Sequence, residues 1–240
     1  LRFTSAALTL ALAAGMALPA FAAAKPSFSK DETVYAVMAP DGSVTSTTVS
    51  AHLYNAAGLS GVTDRSTLTD IVNTESDAAF TQNGDSLTWD TTDTDVYYKG
   101  NTSRALPVSA AVTYTLDGET APLENLLGKS GHLTIRIDLT NNETGTVTVN
   151  GAERTVVTPF ITAVGVVLGE DASNVTLEHG LLERAAKSTV AAFVTMPGVR
   201  GALSGLLPDS FSAAEDYLQD SVTVEADVEN LSAPQILLAS

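Results

Sequence analysis

The chain has 240 residues, with 28 acidic and 12 basic side chains for a formal net charge of −16, and it contains no cysteine. Such a surface repels polyphosphate, because nucleic-acid affinity comes from clustered Lys and Arg displacing counterions, and anionic lipid surfaces are disfavoured for the same reason. Without cysteine there are no disulfides, thiolate zinc sites, iron–sulfur clusters or thiol nucleophiles, and a chain of this length buries a core or two without such staples.

The first segment has Arg2, an apolar run from Ala6 to Leu18, then Pro19 and the stretch Ala20-Phe21-Ala22-Ala23-Ala24. This is the n-, h- and c-region order of a secretory signal peptide over residues 1–24, with cleavage after Ala22 or Ala24, where only small side chains are accepted. The apolar run is shorter than the roughly 20 residues a membrane helix needs, and Pro19 breaks the helix where an anchor would continue. Small secreted eukaryotic domains usually carry disulfides, so export without cysteine points to a bacterial cell surface.

Residues 25–32 read as a polar linker. From Thr33 the apolar and polar residues alternate to Met38, turn at Pro40-Asp41-Gly42-Ser43 and resume from Val44 to Leu53, which predicts a hairpin. Further strands are predicted at 68–72, 79–82, 87–89 and 96–99, with Asn83-Gly84-Asp85 supplying the positive φ angles of a tight turn. A boundary near Gly100 separates an N-terminal β region, 33–100, from a second one, 101–231. The second opens with a strand over 108–116 and a helical turn at 123–127. His132 to Leu139 then alternates strictly, placing Leu133, Ile135, Ile137 and Leu139 on one face. Strands follow at 147–149, 154–157, 160–168, 175–178, 189–196 and 222–228. Helix is expected only at 181–187, 203–207 and 212–218. The apolar stretches 156–168 and 190–207 are interrupted by Pro159 and by Pro197, Gly198, Arg200 and Gly201, so they read as buried strands and turns. The class is all-β, an antiparallel β-sandwich of immunoglobulin-like character or two consecutive β domains, with a few short helices. Residues 232–240 read as the start of a downstream region.

No catalytic residues are identified. Gly128-Lys129-Ser130 lacks the first glycine of a phosphate-binding loop, Leu123 standing in its place. Ser27 and Lys30 have Ser-x-x-Lys spacing, but in a linker and without partner motifs. His52, His132 and His179 are isolated from one another, without ligand spacing. Two weaker sites remain. Asp90, Asp93 and Asp95 offer hard oxygen ligands for calcium, although the glycine and terminal glutamate of a calcium loop are missing; no other cofactor is expected. Trp89, Tyr97 and Tyr98 form either a glycan-binding platform or part of a sandwich core.

The order of the phrases Glu32-Thr33-Val34-Tyr35, Gly84-Asp85-Ser86-Leu87-Thr88-Trp89, Val96-Tyr97-Tyr98-Lys99-Gly100, Val112-Thr113-Tyr114-Thr115-Leu116-Asp117-Gly118 and Leu127-Gly128-Lys129-Ser130-Gly131-His132-Leu133 carries a resemblance. It resembles the N-terminal extracellular region of bacterial, Gram-positive-type surface proteins in which a β-rich region precedes Leu/Gly heptad repeats and membrane helices, akin to phage-infection-type membrane proteins. The resemblance covers Glu32 to about Leu231 and implies no active site. It also implies either a fragment of a longer anchored protein or a free secreted version, and the apolar ending Ile236-Leu237-Leu238 favours the fragment. The leading expectation is a non-catalytic extracellular domain, structural or binding a protein or cell-wall partner. The alternatives are an adhesin or glycan-binding module and a hydrolase built on paired carboxylates.

Overall fold

The computed structural model describes residues 28–149, 151–204 and 217–240. The signal peptide expected over 1–24 lies outside them, as do most of the helical segments expected at 203–207 and 212–218. The described chain is all-β and antiparallel. It forms two compact units, one containing residues 28–39 and Val44–Ala105, the other Pro40–Ser43 and the described parts of Leu106–Ser240.

The N-terminal unit contains β1 (Ser29–Met38), β2 (Val44–Tyr54), β3 (Thr63–Arg65), β4 (Thr69–Asn73), β5 (Ala79–Asn83), β6 (Ser86–Asp90) and β7 (Asp95–Asn101). They assemble as a four-stranded sheet in the order β1-β2-β7-β4 and a three-stranded sheet in the order β3-β6-β5. The period-2 alternation of β2 turns Thr47, Val49, Ala51 and Leu53 inward, and β7 does the same with Val96 and Tyr98. The other sheet supplies Leu87 and Trp89 from β6, and one apolar cluster joins the two layers into a sandwich-like unit. The polar linker expected at 25–32 is in fact strand from Ser29 onward. Pairing of Ser29 through Glu32 with Tyr54 through Ala51 recruits these charged residues, which have little strand preference of their own.

The second unit contains β8 (Val108–Leu116), β9 (Glu119–Thr120), β10 (Gly131–Asn141), β11 (Thr144–Val149), β12 (Ala152–Val157), β13 (Thr162–Leu168), β14 (Ala172–Leu177), β15 (Leu181–Ala185), β16 (Ser188–Thr195), β17 (Ser221–Val228) and β18 (Gln235–Ala239). One sheet runs β14-β17-β10-β8-β9, a second runs β15-β16-β13-β18, and β11-β12 is a separate ribbon. Leu133, Ile135, Ile137 and Leu139 of β10 are buried as their alternation requires. The first three lie opposite Ala226, Val224 and Val222 of β17, and Leu139 opposite Ala110 of β8, around a single core cluster. Each such side chain contributes about 1.5–3 kcal/mol on burial.

Three expectations change. Leu181 to Lys187, composed of good helix formers, is the strand β15, because register pairing with β16 from Leu181↔Ala192 to Ala185↔Ser188 overrides local propensity. The boundary expected near Gly100 falls inside β7, and the chain instead divides between Ala105 and Leu106. The tail 232–240, expected to begin a downstream region, contributes β18, whose Ile236 and Leu238 pack on the core beside β13. The helical turn foreseen at 123–127 is a single 3₁₀ turn, Leu123–Asn125, and the short helix α1 spans Val199–Ala202.

Candidate functional site

Among the described residues, a polar cluster gathers around buried Asp64 inside the N-terminal unit. On β1, Lys30 and Glu32 stand opposite Leu53 and Ala51, both buried, so both side chains are on the core side of their sheet. Asp64 of β3 stands opposite buried Leu87, and Tyr98 of β7 opposite Ala51. Four polar groups thereby converge from three strands and both sheets. The Lys30 Nζ lies 3.0 and 2.9 Å from the two Asp64 carboxylate oxygens and 2.9 Å from Glu32 Oε1, and it donates to the Arg65 carbonyl at 3.1 Å. The Tyr98 hydroxyl donates to Asp64 Oδ2 at 2.5 Å.

The Asp64 side chain is 4% exposed and that of Lys30 20%. A charge so placed costs several kcal/mol unless it is paired and hydrogen-bonded. Here the ammonium has three acceptors and the carboxylate two donors. Burial works against the charged form of Lys30, but its bonds to Glu32, Asp64 and Tyr98 outweigh this and raise its pKa. Burial, with the bond to Asp64 second, pushes the Tyr98 hydroxyl up to about 12. Beside them Trp89 is fully buried between Phe80 and Tyr98, and its Nε1 has no hydrogen-bond partner among the described residues.

This cluster is absent from the sequence reading, which placed Lys30 in a linker and Asp64 in no element. One signal existed: Asp64 is in phase with Val62, so an inward-facing Val62 carries Asp64 inward two residues later.

Of the two readings left open for the aromatic trio, core and platform, the structure gives core for two of the three rings. Trp89 and Tyr98 are core residues, because both fall on the inward phase of their strands. Tyr97, one position out of phase, faces the other way and stacks in parallel on His52 at 4.2 Å. Of the carboxylates weighed as a calcium loop, Asp90, Asp93 and Asp95, the last two take other partners. Thr91 Oγ1 donates to Asp93 Oδ2 at 2.9 Å, and Thr94 Oγ1 donates to Asp95 Oδ2 at 2.7 Å. The other Asp95 oxygen lies 2.8 Å from His52 Nε2. These contacts, led by Thr94, hold Asp95 below the usual carboxylate range. Asp93 is thus engaged within its own turn and Asp95 by Thr94 and, across the sheet, by His52, and no group of three or more metal-ligating side chains is present among the described residues.

Surface depressions occur among the described residues. One of about 610 Å³ is lined by Thr67, Thr69, Asn101, Thr102, Ser103 and Arg104, and one of about 420 Å³ has Arg154, Thr155, Gly198 and Ser204 in its wall. Among the described residues, neither wall includes a carboxylate. Among the described residues, the carboxyl pKa moves down at Asp41, Asp95, Asp171 and Asp227. Among the described residues, no helix is long and apolar enough to cross a membrane. No family model and no curated protein matches this chain.

Proposed function

We propose that the chain is a non-catalytic extracellular domain of a bacterial cell-surface protein, serving structural or partner-binding work. The observation that carries this is how the buried charged and aromatic groups are used. Lys30, Asp64 and Tyr98 are consumed in tying two sheets together, and Trp89 fills the core between them. The depressions among the described residues are lined by small, hydroxyl-bearing, amide and arginine side chains. The order Arg2, apolar run, Pro19 and Ala20 to Ala24 supports export, and the resemblance to β-rich surface proteins supports the location.

A partner-binding role draws on the edge strand β1, where Val34, Tyr35 and Val37 are all exposed. An exposed strand edge with apolar side chains is a template for added strands or docked proteins. The glycan-binding alternative loses its three-ring platform with the burial of Trp89 and Tyr98.

The test is expression of the full chain in a Gram-positive host, followed by fractionation and N-terminal sequencing. Recovery from the envelope or medium with a new N-terminus at Ala23 or Lys25 is expected. Retention in the cytoplasm with Leu1 intact would sink the export reading.

A further inference from the structure

Lys30 and Asp64 sit on β1 and β3, the edge strands of the two facing sheets, and their side chains meet across one side of the sandwich. Both carboxylate oxygens lie about equally far from Nζ, at 3.0 and 2.9 Å, so the nitrogen is centred on the carboxyl group and within near-attack range of its carbon. A second carboxylate, Glu32, touches the same nitrogen, and a hydroxyl donor, Tyr98, touches one of the two oxygens. A plain ion pair needs neither addition. An amine, a buried carboxyl carbon, a proton carrier and an oxygen-polarising donor in one site are the components of an acyl transfer.

We infer that Lys30 and Asp64 become joined by an amide bond between Nζ and Cγ, formed by the folded chain itself. Glu32 takes a proton from the Lys30 ammonium, and the neutral amine attacks Cγ of Asp64. Tyr98 donates to Oδ2 as negative charge gathers there. The C–Oδ2 bond breaks, and the two protons released by the nitrogen leave on that oxygen as water, Glu32 ferrying them and ending as the carboxylate it began as. Ammonium plus carboxylate becomes amide plus water, so no oxidant, nucleotide or metal is required. Desolvation favours the product, because two buried charges are replaced by a neutral amide. The bonds that hold the ammonium oppose its deprotonation, so the amide forms after folding has assembled the site. The result is a covalent tie between sheets, 34 positions apart in sequence, in a chain without cysteine.

The experiment is intact-mass spectrometry of the purified full chain, incubated until its mass is constant, followed by tryptic mapping. The expected mass is one water below that of the same processed sequence. Trypsin should no longer cut after Lys30, with Lys30 and Asp64 recovered in one bridged peptide. Lys30→Arg, which keeps a positive charge beside Asp64, should restore the full mass. Glu32→Gln, at a half-exposed side chain, should slow the loss of water by about 100-fold, the scale of a positioned proton carrier. Full sequence mass with complete cleavage after Lys30 in the wild-type chain would overturn the inference and leave an ion pair. A missing water that persists in Lys30→Arg would overturn it as well, by placing the dehydration elsewhere. Because the decisive measurement is made on the wild-type protein, a variant that fails to fold does not protect the proposal.

Discussion

Single residues here take their roles from the phase of the strand that carries them. Trp89, Tyr97 and Tyr98 are close in sequence and alike in type, yet two are core and one is surface. The same phase rule separates two kinds of charged contact. Asp64 is carried inward and needs Lys30 and Tyr98, whereas His132 and Asp227 face each other at 2.9 Å across β10 and β17 with half of each side chain exposed. Hydrogen bonding to Asp227, assisted by the charges of Glu225 and Asp117, raises the pKa of His132. Bonds from Asn174 and then His132 lower that of Asp227. The histidine contribution to stability is therefore complete below its unfolded value near 6.5 and is lost as pH rises through the folded one. The aspartate contribution is present above its unfolded value near 3.8 and is lost as pH falls through its folded one. Solvent keeps both small. NMR titration of the imidazole should give a midpoint above 6.5, and Asp227→Asn should bring it most of the way back; an unchanged midpoint would show that the contact does not persist in solution.

At the scale of elements, strands with strict alternation were legible, and those held by pairing were not. β10 announces itself through Leu133, Ile135, Ile137 and Leu139. β3 has three residues, and β15 is made of helix formers, so neither carries a local signal strong enough to oppose its composition. The β4 edge shows a further feature that a linear pattern cannot encode. Its pairing with β7 shifts register between Thr69 and Val72, where Asp70 adopts φ 52°, and Gly100 faces this bulge. A Cβ at Gly100 would stand 2.8 Å from Leu68 Cβ and 2.9 Å from the Thr69 carbonyl oxygen, so backbone would have to move. Gly100→Ala should therefore cost about 1–3 kcal/mol, seen as a lower denaturant midpoint at unchanged slope. A midpoint equal to wild type would mean that β4 shifts away freely.

For the whole molecule, charge is the property that sequence states outright. A net charge of −16 and a pI near 4.3 persist whatever the fold, because composition alone sets them. The protein should pass through a heparin column at about 50 mM salt and be retained by an anion exchanger, since no cluster of basic residues exists to displace counterions from a polyanion. Retention on heparin would require a basic patch assembled by folding. The all-β class was equally legible, since hydrophobic period is a local property and survives without any knowledge of partners. What only the tertiary structure decided is which strands are neighbours: β18 beside β13, β17 beside β10, and Lys30 against Asp64. The reason is physical. Antiparallel pairing between distant segments is fixed by the fit of whole apolar faces, and that fit depends on all the strands at once. A lysine in an apparent linker and an aspartate in an apparent loop therefore become a buried pair only when two sheets close over them.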